Sequence, residues 1–147
     1  MFKHNVSRTI YTDIAMAPVA AGTGDTQTGL TIDTAGYESV VFLVYFGAIT
    51  ATAVTTIKLQ YGNASDLSDV ADIANSSISV PDTGVNEGWL SVEVFRPTKR
   101  YLRVAVVRAT ANAVINGAVV LMGRATIQPP VQGVTMGNVA PAVLVSP

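Results

Sequence analysis

Along most of this chain apolar and polar residues alternate with a period of two, the pattern of a strand with one side in a core and the other in water. From Trp89 to Phe95, Leu90, Val92 and Val94 share one side, and Trp89, Ser91, Glu93 and Phe95 the other. From Arg100 to Arg108, Leu102, Val104 and Val106 share a side, with Arg100 and Arg108 at its two ends. Ile57, Leu59 and Tyr61 alternate with Thr56, Lys58 and Gln60; in 113–127 the apolar set Ile115, Val119, Leu121, Ala125 and Ile127 lies opposite Asn116 and Arg124. Further strands are predicted over 8–16, 30–34, 70–74 and 77–80, with turn signals at Gly22-Thr23-Gly24-Asp25, Gly62-Asn63, Pro81-Asp82-Thr83-Gly84 and Asn116-Gly117. Only 65–71 reads as a helical turn. The expectation is an all-β chain, a single antiparallel β-sandwich or jelly roll.

Two stretches break the alternation. In 39–46 both Val40, Phe42, Val44, Phe46 and Val41, Leu43, Tyr45 are apolar. Such a strand is either central, with a layer on each side, or covered by a neighbouring subunit. Because only one face of a strand meets the core in a two-layer sandwich, the subunit contact is the preferred reading, with Val40, Phe42, Val44 and Phe46 placed in it. From Ala125 to Pro147 there is no Lys, Arg, Asp, Glu or His. Disordered segments usually stay in solution through low hydrophobicity and high charge, so this tail is expected to lie on another chain, through Val131, Val134, Met136, Val139 and Leu144. The division that follows is an N-terminal arm over 1–27 with a possible first strand, a sandwich over 28–127 and an uncharged extended arm over 128–147.

Composition strengthens the idea of assembly. Of the 147 residues 49% are hydrophobic and 13% charged, with a net charge of −1, against about 25% charged in an ordinary soluble domain. Little charge is left to coat a free monomer, and copies of the same chain, as dimer or trimer, are the first expected partners. Cysteine is absent, so no disulfide is needed. The first residues lack the apolar run of a signal peptide, which reads as a protein made in the cytoplasm. The longest apolar stretch falls far short of the ~20 residues of a membrane helix, so no membrane partner is expected.

Candidate chemistry is sparse. His4 is the sole histidine, so triad catalysis lacks a well-placed base and a zinc site lacks ligands. Asp66, Asp69 and Asp72 lack the spacing and glycine of a calcium loop, and a solvated loop with Asp66 capping a turn is the simpler reading. Gly22-Thr23-Gly24-Asp25 has no following Lys or helix and reads as a turn, not a phosphate loop. Six of the nine basic residues, Arg96, Lys99, Arg100, Arg103, Arg108 and Arg124, fall between positions 96 and 124, while Asp66, Asp69, Asp72, Asp82 and Glu87 cluster before them. Complementary pairing between subunits through Arg96, Arg100 and Arg103 accounts for this asymmetry without a specific nucleic-acid partner. Trp89, the only tryptophan, lies off the Leu/Val side of its strand, where it caps the sandwich or anchors an interface. No cofactor and no metal are expected.

Several segments, in their order, resemble the cement or decoration proteins that tailed bacteriophages encode. They are Tyr37-Glu38-Ser39-Val40-Val41-Phe42-Leu43-Val44, then Ile57-Lys58-Leu59-Gln60 with the loop Asp66-Leu67-Ser68-Asp69-Val70-Ala71, then Lys99-Arg100-Tyr101-Leu102-Arg103-Val104, and the closing Ala118-Val119-Val120-Leu121-Met122-Gly123. The resemblance spans about Leu30 to Ile127 and carries no diagnostic motif. It implies a jelly-roll-like, non-enzymatic virion protein on the capsid surface, binding the major capsid protein where its subunits meet. The alternative from another class is a carbohydrate-binding or adhesive sandwich of a tail or fibre. An enzyme ranks third, because only Glu38, Glu87, Glu93 and loop aspartates are available as a carboxylate pair.

Overall fold

A computed structural model describes residues 6, 9–82 and 87–126. The strands are β1 (Tyr11–Met16), β2 (Val19–Gly22), β3 (Asp25–Thr28), β4 (Ile32–Asp33), β5 (Tyr37–Ile49), β6 (Val54–Gly62), β7 (Ala71–Asp72), β8 (Ile78–Val80), β9 (Trp89–Phe95), β10 (Tyr101–Thr110) and β11 (Ala113–Ala125). They form two antiparallel sheets packed face to face. The first has the order β1-β11-β5-β9, with β2 also on β11; the second has the order β3-β10-β6-β7, with β4 also on β10 and β8 also on β6.

Taking β1/β2, β3/β4 and β7/β8 each as one interrupted strand leaves eight. The first pairs with the last, the second with the seventh, the third with the sixth and the fourth with the fifth. That nested pairing is the jelly roll. Strands β1 to β3 are part of it, so the sandwich begins well before residue 28, and residues 11–16, 19–22 and 25–27 of the expected N-terminal arm are sheet edge. The short, Ala- and Thr-rich segments 19–22 and 25–28 carry little alternation because edge strands bury little on either side.

The core lies between the sheets. Val40, Phe42, Val44, Phe46, Ile115 and Val120 from the first sheet meet Ile57, Leu59, Leu102, Val104 and Val106 from the second, all fully buried. Each such side chain contributes roughly 1.5–3 kcal/mol over an exposed one. This overturns the placing of Val40, Phe42, Val44 and Phe46 in a subunit contact: they are the protomer's own core. The surface side of β5 is Val41, Leu43 and Tyr45.

Two local expectations also change. Residues 63–70 form turns and no helical turn, and Leu67 has φ 54°. Asn116-Gly117 is not a hairpin turn but a bulge inside β11: the register steps from Ile115↔Phe46 to Gly117↔Tyr45, and Gly117 has φ 123°. One extra residue exchanges the two sides of a strand. Ile115 therefore points inward while Val119 and Leu121, of the same sequence parity, point outward, and Ala118, Val120 and Met122 take the core side.

Candidate functional site

The bulge gives the first sheet an apolar outer face. In register across β9, β5, β11 and β1, one row runs Trp89, Tyr45, Gly117, the next Ser91, Leu43, Val119, Ile14, and the next Glu93, Val41, Leu121, Thr12. Beyond them Phe95 pairs with Ser39, which pairs with Gly123. Trp89 is 62% exposed, Phe95 53%, Ile14 45%, Val119 43% and Tyr45 41%, values that set these side chains apart from the scattered surface leucines of any protein because they are contiguous. A shallow depression of about 480 Å³ opens among Trp89, Tyr45, Leu43, Val119, Ile14 and Asn116. The Asn116 amide, the Tyr45 hydroxyl and the Trp89 N–H are its side-chain hydrogen-bonding groups, and none of its lining side chains is charged.

The far end of this face is charged. Arg96 Nη2 lies 3.6 Å and Arg124 Nε 3.0 Å from opposite oxygens of Glu38. Both guanidiniums also lie over the Phe95 ring, at 5.3 and 5.4 Å from its centroid, a cation–π arrangement. Two cations sharing one carboxylate leave a positive rim beside an exposed aromatic.

The outer side of the second sheet is different in kind. Lys58 Nζ donates to Asp72 Oδ2 at 2.8 Å, Gln60 Nε2 to Asp72 Oδ1 at 2.7 Å, and Arg103 Nε to Gln60 Oε1 at 2.8 Å. The Lys58 and then the Gln60 hydrogen bond hold the Asp72 carboxyl below the usual carboxylate range. This lattice of short polar links is the ordinary solvated side of a sheet.

The basic residues singled out from sequence do not form one strip. Arg96 lies at the rim just described, and Arg103 lies on the second sheet. Arg100 grips Asp33 of the same chain through Nε at 2.9 Å and Nη2 at 2.7 Å, lowering the Asp33 pKa and raising its own. Arg108 is buried. Trp89 is at the surface. Val131, Val134, Met136, Val139, Leu144 and His4 lie outside the described residues.

The three loop aspartates act separately: Asp66 Oδ1 accepts the Ser68 N–H at 3.0 Å, Asp69 accepts those of Asn63 and Ala64 at 2.8 and 3.1 Å, and Asp72 holds Lys58. Among the described residues no three His, Asp or Glu side chains converge as a metal site. Sequence reasoning missed Tyr45, Val119 and Ile14 as site residues. The signal was there in the double apolarity of 39–46, but its sides were exchanged.

No family model and no curated protein matches the sequence. Solved structures with a similar course include a Bacillus endospore appendage of the kind that forms disulfide-linked pili, 15% identical with a TM-score of 0.48 over 79% of this chain and 88% of that one. The enzymatically active domain of bacteriophage CBA120 tailspike protein 4 is another, 13% identical with a TM-score of 0.38 over 80% of this chain and 19% of that one. Both are β-rich, and the likeness goes no further than that. This chain has no cysteine with which to form a disulfide. The resemblance to capsid decoration proteins rests on the sequence segments alone.

Proposed function

We propose that this is a structural protein that works by docking, and that its setting is a virion, where it binds the capsid surface and clamps neighbouring subunits of the major capsid protein. The observation that carries the docking part is the contiguous apolar outer face around Trp89 and Tyr45, set against the outer side of the other sheet, where Lys58, Gln60, Asp72 and Arg103 are linked by hydrogen bonds. A ligand that binds the assembled lattice but not free subunits stabilises the lattice by linkage, which is the mechanism a cement protein needs. The capsid setting draws on the sequence resemblance.

The carbohydrate reading is the rival, since Trp89 and Tyr45 are adjacent aromatics on one surface. Against it stands the lining of the depression: sugar recognition needs several convergent hydrogen-bonding groups, and the lining offers the Asn116 amide, the Tyr45 hydroxyl and the Trp89 N–H with no charged side chain among them. The deciding experiment is co-sedimentation of the wild-type chain, Trp89→Glu and Val119→Lys with capsids, beside a glycan array. Loss of an aromatic anchor at an interface centre costs about 2 kcal/mol or more, about 30-fold in affinity, so both variants should stay folded and leave the particle. Full decoration by Trp89→Glu, or strong glycan binding abolished by it, defeats the proposal.

A further inference from the structure

We infer that the occupant of this face is the uncharged C-terminal segment, residues 127–147, of a second copy of the chain. This rests on the reading of the face as a docking surface and names what docks there. Four strands about 4.8 Å apart and the ~20 Å from Trp89 to Phe95 give the face a footprint on the order of 300 Å². A stable pairing of two globular surfaces buries about 800 Å² on each partner. The face is too small for one sandwich to sit on another, but it suits an extended segment crossing the strands.

Its chemistry matches that segment. Around the depression the lining is uncharged and mostly apolar, and residues 127–147 carry no charge while offering Val131, Val134, Met136, Val139 and Leu144. Gly123 leaves the sheet surface bare, since a Cβ added there would meet nothing within 4 Å. A backbone can approach closely there.

The direction of exit favours a neighbour over the chain's own face. Thr126 donates from both N and Oγ1 to Gly36 O, at 2.8 and 3.1 Å, where β11 passes the start of β5. The depression is at the other end of the sheet, ~20 Å back along β11 from Ala125 to Val119 at ~3.4 Å per residue. The next residues are Ile127-Gln128-Pro129-Pro130. A residue before a proline is sterically biased toward extended backbone, and a Pro-Pro pair suits no common reverse turn. That sequence bias favours a segment that continues away from its own sandwich, and a stretch of the length of residues 127–147 can span about 70 Å when fully extended.

Trp89, the sole tryptophan, reports the face directly in the intact protein. On raising the concentration of full-length chain, Trp89 emission should shift to the blue and its quenching by acrylamide should fall several-fold, in step with oligomerisation by sedimentation. The chain ending at Thr126 keeps all eleven strands and every core residue named above. It should remain a monomer with a quenchable Trp89, and a synthetic 127–147 peptide should bind it and restore the shift, but not when Val119→Lys is present. A blue-shifted Trp89 independent of concentration means the segment folds back on its own face; an oligomer that survives truncation means sandwich-on-sandwich pairing. Either overturns the inference, as does a peptide that fails to bind. A peptide that fails to bind while the protein still decorates capsids defeats this inference and leaves the proposed function standing, whereas tail exchange without capsid binding does the reverse.

Discussion

Arg108 and Asp25 pair side by side on neighbouring strands at the edge of the second sheet, Nε to Oδ1 at 2.7 Å, with the arginine side chain 3% exposed. The same guanidinium donates from Nη1 to the carbonyls of Ala20 and Ala113, at 2.7 and 2.9 Å. Arg108 and Asp25 belong to the second sheet, Ala20 and Ala113 to the first, so one side chain ties the layers together. Gly22 makes room for it, since a Cβ there would lie 2.6 Å from the guanidinium. Arg108→Met should therefore lower stability by about 3 kcal/mol, because breaking one side of a buried pair strands the groups it held. Chemical denaturation checks this; a loss under about 1 kcal/mol would mean water replaces the guanidinium.

Acid should weaken the fold over a narrow range. The carboxyls of Asp25 and Asp33 are held below their ordinary values first by hydrogen bonds from Arg108 and Arg100, and those of Asp66 and Asp69 first by backbone N–H groups of Ser68 and of Asn63 and Ala64. A carboxyl with a depressed folded pKa adds stability above its unfolded pKa of about 3.9 and loses it as pH falls through the folded value. Tm should be flat from neutrality to about pH 5 and fall steeply below about pH 4. Arg100→Gln should shallow that fall by removing the Asp33 share, and a Tm unchanged down to pH 3 would contradict the assignment.

Thr55 points into the core, 2% exposed, and its Oγ1 has no hydrogen-bond partner among the described residues. An unsatisfied buried hydroxyl costs about 1–3 kcal/mol. Thr55→Val keeps the branched shape and removes the hydroxyl, so it should stabilise by about 1 kcal/mol. A destabilised Val variant would reveal a partner for the hydroxyl.

At high pH the sensitive group is Tyr11, whose phenol is pushed up to about 12 by burial and by its hydrogen bond at 2.9 Å to the Asp13 carboxylate. A raised folded pKa contributes stability that is complete below the unfolded value near 10 and is lost as pH rises towards 12. Ultraviolet titration should show late ionisation from Tyr37, whose pKa burial also raises, and from Tyr11 near pH 12. Asp13→Asn should bring Tyr11 down only partway, because burial and the ring of Tyr37 with its centroid 5.7 Å away remain.

Much of the fold was legible because most strands have one wet side. The inward residues of β9 and the Leu102, Val104, Val106 side of β10 follow directly from alternation. Strand β5 was not, since apolarity on both sides leaves the register undetermined by pattern; only pairing with β11 and β9 turns Phe42 inward and Leu43 outward. Val119 was misassigned because Asn116-Gly117 looks the same in sequence whether it turns the chain or bulges it. Arg108 did carry a signal, a cation in phase with a core side, but its partner is 83 residues away, and nothing local names it.

Strand β11 lies between β1/β2 and β5, although it is last of the eleven in the chain. While residues 113–125 are still being made, β5 has one open ladder edge and the first sheet is split in two. Such non-local closure is slow and leaves a sticky edge exposed meanwhile. The apolar face spans β1, β11, β5 and β9, so it does not exist until that strand has slotted in. Partners can recognise only finished molecules, and topology alone makes folding a precondition for assembly.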